Sequence, residues 1–312
     1  MKHKLLLTLF LTGRLFKGLW CDIAYCTGTR IKHCLLRLRS PEKLADYQLM
    51  SLLFWHSHQT EKATKHKSRG RCVKKRGWQH YQRMSSYLGE VERRGLLKKT
   101  EEKGILWSKD IKDIYEEWVS TEGRVNVHSV REENNGCEEI GTVSDQVSEL
   151  ICSRRSVRIW QGREVPDKII EKLLACGMST SSSCNRQGVV FVFVKRSFPR
   201  ETITEPNNSA MLKSAPLIVY LCCDPSLYPE RFSPVLDVGM AAEDVLICAN
   251  STGLRGCAMY QCESFDQDEL RRRLGISKNL YVYMVLLLGY PAEDPKKPAR
   301  MSASMRSKIV EE

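Results

Sequence analysis

Apolar positions recur with two different rhythms along this chain, and the change falls near residue 147. Between Pro41 and Leu88 the spacing is helical: Leu44, Leu49, Leu52 and Leu53 fall on one face, and a run dense in charge from Lys65 to Arg76 reads as a basic loop. Ile111, Ile114, Tyr115 and Trp118 share a face of a further helix over 109–118. Residues 1–120 therefore read as a mainly helical extension. Residues 121–146 are polar, carry Asn134-Asn135-Gly136, and read as a linker.

From 147 to 312 helices and strands alternate. Ser148–Ser153 and Pro166–Cys176 read as helices, the second with Ile169, Ile170, Leu173 and Leu174 turned inward. Val189–Val194, Leu217–Cys223 and Leu280–Leu288 are short apolar runs bounded by breakers, which predicts buried strands. A small-residue helix over Leu236–Ser251 ends near Gly253, a strand follows Gly256-Cys257, and a charged helix over Asp266–Leu274 ends at Gly275. The order is that of an α+β domain without repeats. It contains neither a P-loop nor a G-x-G-x-x-G after a strand.

Composition adds one asymmetry to this picture. The chain of 312 residues carries a net charge of +12. Residues 1–100 hold 22 basic and 6 acidic side chains, 101–150 hold 5 and 13, and 151–312 hold 22 and 18. The basic excess thus belongs to the extension, as a solvated face or a surface for phosphates or anionic lipid. No RNA-binding signature or zinc finger accompanies it, which disfavours nucleic acid. The 13 cysteines form no C-x-x-C pair and no regular framework, so a reducing cytoplasm is expected, and no metal site. The apolar stretch Leu5–Leu11 is too short to span a bilayer and lacks a cleavage site. A basic amphipathic helix, packed on the body or lying peripherally on the inner surface of an anionic membrane, fits it better.

Two segments carry candidate chemistry. Arg154-Arg155-Ser156-Val157-Arg158 places three guanidinium groups and a hydroxyl at a helix end, where forked, charge-assisted hydrogen bonds can hold a phosphate. Ser179 to Gln187 is a polar loop delivered to a sheet edge, and its Asn185 and Gln187 offer both donors and acceptors to a heterocyclic ring edge.

In this order and spacing, Arg-Arg-Ser-Val-Arg followed by Ser-Ser-Cys-Asn-Arg-Gln resembles the signature of nitroreductase-family flavoproteins. Ser214-Ala-Pro216, Asp237-Val-Gly239-Met-Ala-Ala242, Thr252-Gly-Leu-Arg-Gly256-Cys257, Leu288-Gly-Tyr-Pro291 and Pro298-Ala-Arg300 continue the likeness. The resemblance implies a nitroreductase-like α+β fold, with a central, mostly antiparallel sheet flanked by helices. It also implies a homodimer with FMN at its interface and NADH or NADPH as electron donor to FMN. By the same likeness Arg154, Arg155, Ser156 and Arg300 would hold the FMN phosphate and ribityl chain. Arg158 would lie near the ribityl or pyrimidine and stabilise the anionic reduced flavin, Asn185 and Gln187 would meet the isoalloxazine edge, and Ser182 and Ser183 would also belong to the cofactor-binding set. Backbone at Gly256 and Cys257 would approach N5. No side chain is assigned as a general acid, because the flavin carries the chemistry.

The sequence departs from the family pattern at Ser181, Gly188 and Glu243-Asp244, where proline, proline and an amide are usual. In the extension, His58 and Glu61 share a helix face at i, i+3, whereas His56 and His58 diverge by about 200°. His58-x-x-Glu61-Lys62-Ala63 resembles a segment of nitroreductase-like proteins from polysaccharide and cell-surface gene clusters, with Ala63 in place of glycine. Packing, a place at the flavin or substrate pocket, and a metal are the roles open to this pair. The function expected is an FMN-dependent oxidoreductase passing hydride from NAD(P)H to a small acceptor. Two alternatives stand beside it: a flavin-dependent dehydrogenase or oxidase acting on a peptide or polysaccharide precursor, and a non-catalytic binding protein built on a degenerate flavin fold.

Overall fold

A computed structural model describes residues 31–33, 35–65, 70–97, 103–121, 140–199, 209–259 and 266–296, with 298, 302 and 306–310. Arg300, the stretch Leu5–Leu11 and residues 122–139 of the expected linker lie outside the described residues.

The described residues of the N-terminal region are mainly helical. Its α1 (Asp46–Lys65), α2 (Gly70–Arg93) and α3 (Lys103–Ser120) pack on one another. Each presents a buried stripe at helical spacing: Leu49, Leu52, Leu53 and His56 on α1; Met84, Tyr87, Leu88 and Val91 on α2; Ile105, Ile111 and Tyr115 on α3. Burial of each large aliphatic side chain contributes about 1.5–3 kcal/mol. The run Lys65–Arg76, read as a loop, is helical from Gly70 onward. Lysine and arginine are good helix formers, so a dense charge run does not by itself break a helix.

The C-terminal half contains α4 (Ile140–Ser153), α5 (Asp167–Met178), β1 (Val189–Lys195), α6 (Ser209–Ser214), β2 (Leu217–Cys223), α7 (Ser233–Ser251), β3 (Arg255–Met259), α8 (Gln267–Leu274) and β4 (Tyr281–Gly289). The four strands form one sheet in the order β1-β2-β4-β3, and every neighbouring pair is antiparallel. The α+β class and the antiparallel sheet expected from sequence are both present. The helix α4 begins at Ile140, inside the segment read as linker, and α6 was not expected.

Alternation along β2 divides the core. Leu217, Val219, Leu221 and Cys223 face one layer, with Val238, Ala241, Ala242 and Val245 of α7. Ile218, Tyr220 and Cys222 face the other, with Val157, Trp160, Leu212 and Leu270. The first layer continues without a break into the apolar stripes of α1 and α2, so extension and sheet share one core.

Three hydrogen bonds fasten that junction. The buried Asp224, just past β2, accepts hydrogen bonds from Tyr47 Oη at 3.0 Å and Gln48 Nε2 at 2.9 Å, both on α1. His33 bonds through Nδ1 to the carbonyl of Ser226 at 2.8 Å. Among the described residues no helix is long and apolar enough to cross a membrane.

Candidate functional site

Residues 154–160 leave α4 and run along the sheet edge formed by β3. Ser156 bridges in parallel to Gly256, and Val157 N donates to Gly256 O at 3.2 Å. Trp160 bridges to Pro291 and donates through Nε1 to Arg255 O at 3.1 Å. The arginine segment and the Gly256-Cys257 backbone are therefore adjacent. A side chain at Gly256 would meet the carbonyl oxygen of Leu287 at 2.3 Å, so β4 already demands glycine there. Only the backbone of Cys257 faces the site, since its side chain belongs to the core. Burial raises its thiol pKa, with nearby Arg158 pulling the other way.

Arg154 forms an ion pair with Glu243 of α7, Nε to Oε1 at 2.9 Å, and both side chains are partly exposed. Arg155 donates to its neighbouring carbonyls, Cys152 O at 2.7 Å and Arg154 O at 2.8 Å. Arg158 is exposed, and its backbone N–H, with that of Ile159, donates to Glu293 Oε1.

The second segment is a strained loop held by the same helix. Cys184, Asn185 and Gln187 all have positive φ, between 51° and 53°, which non-glycine residues seldom adopt and which costs about 1–3 kcal/mol each. Asp237 of α7 is fully buried and compensates: its carboxylate accepts from Ser183 N at 3.0 Å, Ser183 Oγ at 2.7 Å and Tyr228 Oη at 2.8 Å. Ser182 Oγ accepts from Gln187 N at 3.0 Å, and Gln187 Nε2 donates to Asn185 Oδ1 at 3.1 Å. Ser182 and Ser183 thus brace the loop, while Asn185 and Gln187 keep donors and acceptors at a partly exposed rim.

Gly188 also has a local cause, because a Cβ there would lie 2.5 Å from the Tyr228 hydroxyl that Asp237 holds. Tyr228, whose own pKa burial pushes up, occupies the space that a proline ring would need.

Four residues of the site were not foreseen. Asp237 stands in the sequence only as part of a motif of the family likeness, yet it anchors the loop. Arg186 is 2% exposed: Nη1 donates to Ser183 O at 3.1 Å, Nη2 to Glu230 at 3.3 Å, and its guanidinium carbon lies 5.2 Å from the ring centres of both Trp55 and Tyr228. Trp55 belongs to α1, so the extension touches the loop directly. Tyr228 completes the clamp.

Of the His58–Glu61 pair, Nδ1 lies 3.6 Å from Oε2 and both side chains are about three-quarters buried or more. No group of three or more metal-binding side chains occurs among the described residues.

A model of the nitroreductase family matches residues 151–214. A protein of Methanothermobacter thermautotrophicus, described as a candidate NADH dehydrogenase/NAD(P)H nitroreductase, is 34% identical over 183 residues, 57% of this chain and 90% of that protein. The chain belongs to the nitroreductase family. A second member of this family with the same description, from Archaeoglobus fulgidus, is 31% identical over 158 residues, 48% of this chain and 88% of that protein. A solved candidate nitroreductase from Desulfovibrio desulfuricans, in complex with FMN, covers 53% of this chain and 96% of its own, with 20% identity and a TM-score of 0.48.

Proposed function

We infer that the protein is an FMN-dependent oxidoreductase that takes hydride from NADH or NADPH and delivers it to a small acceptor. One observation carries this reading: α7 organises both candidate segments, Asp237 holding the 182–187 loop and Glu243 meeting Arg154 of the arginine segment. Six residues separate these two anchors, about 9 Å along the helix. The helix therefore sets a cationic end and a ring-edge end side by side.

The donor set fits FMN. Arg154 and Arg155, with the exposed Ser156 hydroxyl, suit a phosphate and ribityl chain, and Arg300 would join them. Asn185 and Gln187 suit the pyrimidine edge. The backbone at Gly256 and Cys257 would lie against the reactive face, and Arg158 would stabilise negative charge there. FMN, when bound, supplies the acceptance and release of hydride, and the protein supplies binding, orientation and electrostatics.

The site would be completed across a homodimer. Phe232, just before α7, and Leu236 and Met240 on it follow one another at i, i+4 and i+8 and are 64%, 61% and 42% exposed, with Val147 and Ile151 of the neighbouring α4 also exposed. Such a stripe on the helix that organises both segments suits burial by a second copy of this chain.

An anaerobic absorbance spectrum of the purified protein, before and after NADH or NADPH, tests the reading. Flavin bands that bleach on addition of the donor are expected. A colourless protein that takes up no FMN on titration would overturn it.

A further inference from the structure

We propose that the helical segment over residues 31–38 docks the protein on an anionic membrane surface, with Ile31, Leu35 and Leu38 entering the headgroup boundary and Lys32 and Arg39 meeting the lipid anions. The proposal does not rest on the flavin reading. Residues 31–33 and 35–38 are helical, and at about 100° per residue Ile31, Leu35 and Leu38 fall within roughly 60° of one another. All three face outward and are 53%, 54% and 76% exposed.

The opposite face is fixed to the body. His33 and Leu36 are buried, His33 Nδ1 bonds to Ser226 O at 2.8 Å, and the His33 ring centre lies 5.9 Å from that of Trp55. Packing on that side therefore sets the direction in which the apolar stripe points. A surface helix ordinarily turns its apolar stripe to the core and its polar residues to water. This one is apolar on both faces, and a contiguous outward stripe of that kind marks an interaction surface.

Charge selects the occupant. Lys32 and Arg39 are exposed, as is Lys43 shortly after them, and none of the three forms an ion pair among the described residues. The carboxylates nearest in sequence, Glu42 and Asp46, sit beside Arg93 and Arg94 at the end of α2, and Glu230, which faces His33 from the body, pairs with Arg186. Residues 1–41 hold eight Lys and Arg against a single acidic side chain, Asp22.

A second copy of this face would bring like charge against it, and so would residues 1–30, with five basic side chains and one acidic. Nucleic acid would satisfy the cations and leave the aliphatic side chains in water. An anionic bilayer meets both needs, because its headgroups attract lysine and arginine while its acyl boundary takes up leucine and isoleucine. The surface is distinct from Leu5–Leu11, and the proposal requires no part of that stretch.

Flotation of the full chain with vesicles of phosphatidylcholine, alone or mixed with phosphatidylserine, at low and high salt tests the proposal. Partition into the phosphatidylserine vesicles is expected to be higher by about tenfold or more, and to fall with added salt. A Leu35→Ser, Leu38→Ser double change leaves the charge untouched and should lower partition about tenfold. Lys32→Gln, Arg39→Gln should lower it by about as much and flatten its salt dependence. All four side chains are exposed, so the melts of both variants should match the parent. Absence of flotation with phosphatidylserine overturns the proposal, as does flotation that the serine pair leaves unchanged. A serine pair that lowers the mass in sedimentation velocity and leaves flotation intact assigns the face to a second copy, which also overturns it. Should the serine pair fail to fold, Leu38→Trp decides. Brominated lipid in phosphatidylserine vesicles must quench its added fluorescence, and quenching no greater than in the parent overturns the proposal.

Discussion

Single residues here act through the charges that surround them. His56 and His33 are both buried, and burial is the leading cause that lowers each of their pKa values from the ordinary 6.5. The unfolded chain takes up protons at that ordinary value, whereas the folded chain resists until lower pH. Below about pH 6.5 the unfolded state therefore binds more protons, and folding stability falls as pH falls through that window. Thermal melts at pH 7.5 and 5.5 should show a lower Tm at the acid value, and a flat profile would argue against buried neutral imidazoles. Glu243 offers a second test at this scale. It holds Arg154 at 2.9 Å, in the position where the flavin reading needs a phosphate partner. The pair is partly exposed and solvent-screened, so it contributes little by itself. If Arg154 binds phosphate, Glu243→Gln removes a repelling charge and should tighten FMN binding by about threefold in a fluorescence titration. Weaker binding would instead make Glu243 the group that positions Arg154.

At the scale of elements, α7 is the component on which most depends. One face packs into the sheet through Val238, Ala241, Ala242 and Val245. Its N-terminal half holds the loop through Asp237, and its remaining face is the exposed apolar stripe. If a second copy of the chain covers that stripe, a Leu236→Asp, Met240→Lys double change should convert the dimer into a monomer in sedimentation velocity and weaken FMN binding, while the Tm of the monomer falls little because neither position packs in the core. A dimer that persists would place the interface elsewhere. Periodicity made the strands legible, because β2 and β4 lie inside the core and read as unbroken apolar runs. It made less of α4, although Ile140, Val143, Val147, Leu150 and Ile151 do recur at helical spacing, because the polar stretch before them masked where the helix starts. The six residues of α6 are too few to show a period at all. The same limit applies to the site: an ordered motif exposed Arg154–Arg158 and Ser182–Gln187. The buried Arg186 was invisible because its aromatic and acidic partners come from Trp55, Tyr228 and Glu230, segments far apart in sequence.

At the scale of the whole molecule, the described helices of the extension share a core with the C-terminal body, and Trp55 is one of the places where they meet. It sits on α1, contacts the guanidinium groups of both Arg37 and Arg186, and through Arg186 reaches the carbonyl of Ser183 inside a loop with three left-handed residues. Such a loop keeps its shape only while its surroundings over-determine it. Trp55→Ala removes a large ring from the shared core, which costs about 3–5 kcal/mol, and takes away one of the two aromatic faces that hold Arg186. Trp55→Phe keeps a face for the guanidinium and most of the packing. If the extension sets the loop, Trp55→Ala should weaken FMN binding roughly tenfold, or about 1.4 kcal/mol, with Trp55→Phe close to the parent. If the extension only adds stability, both variants should lose Tm in proportion to the volume removed, with FMN affinity unchanged. Melting and flavin titration on the same pair of variants therefore separate a scaffold from a positioning element.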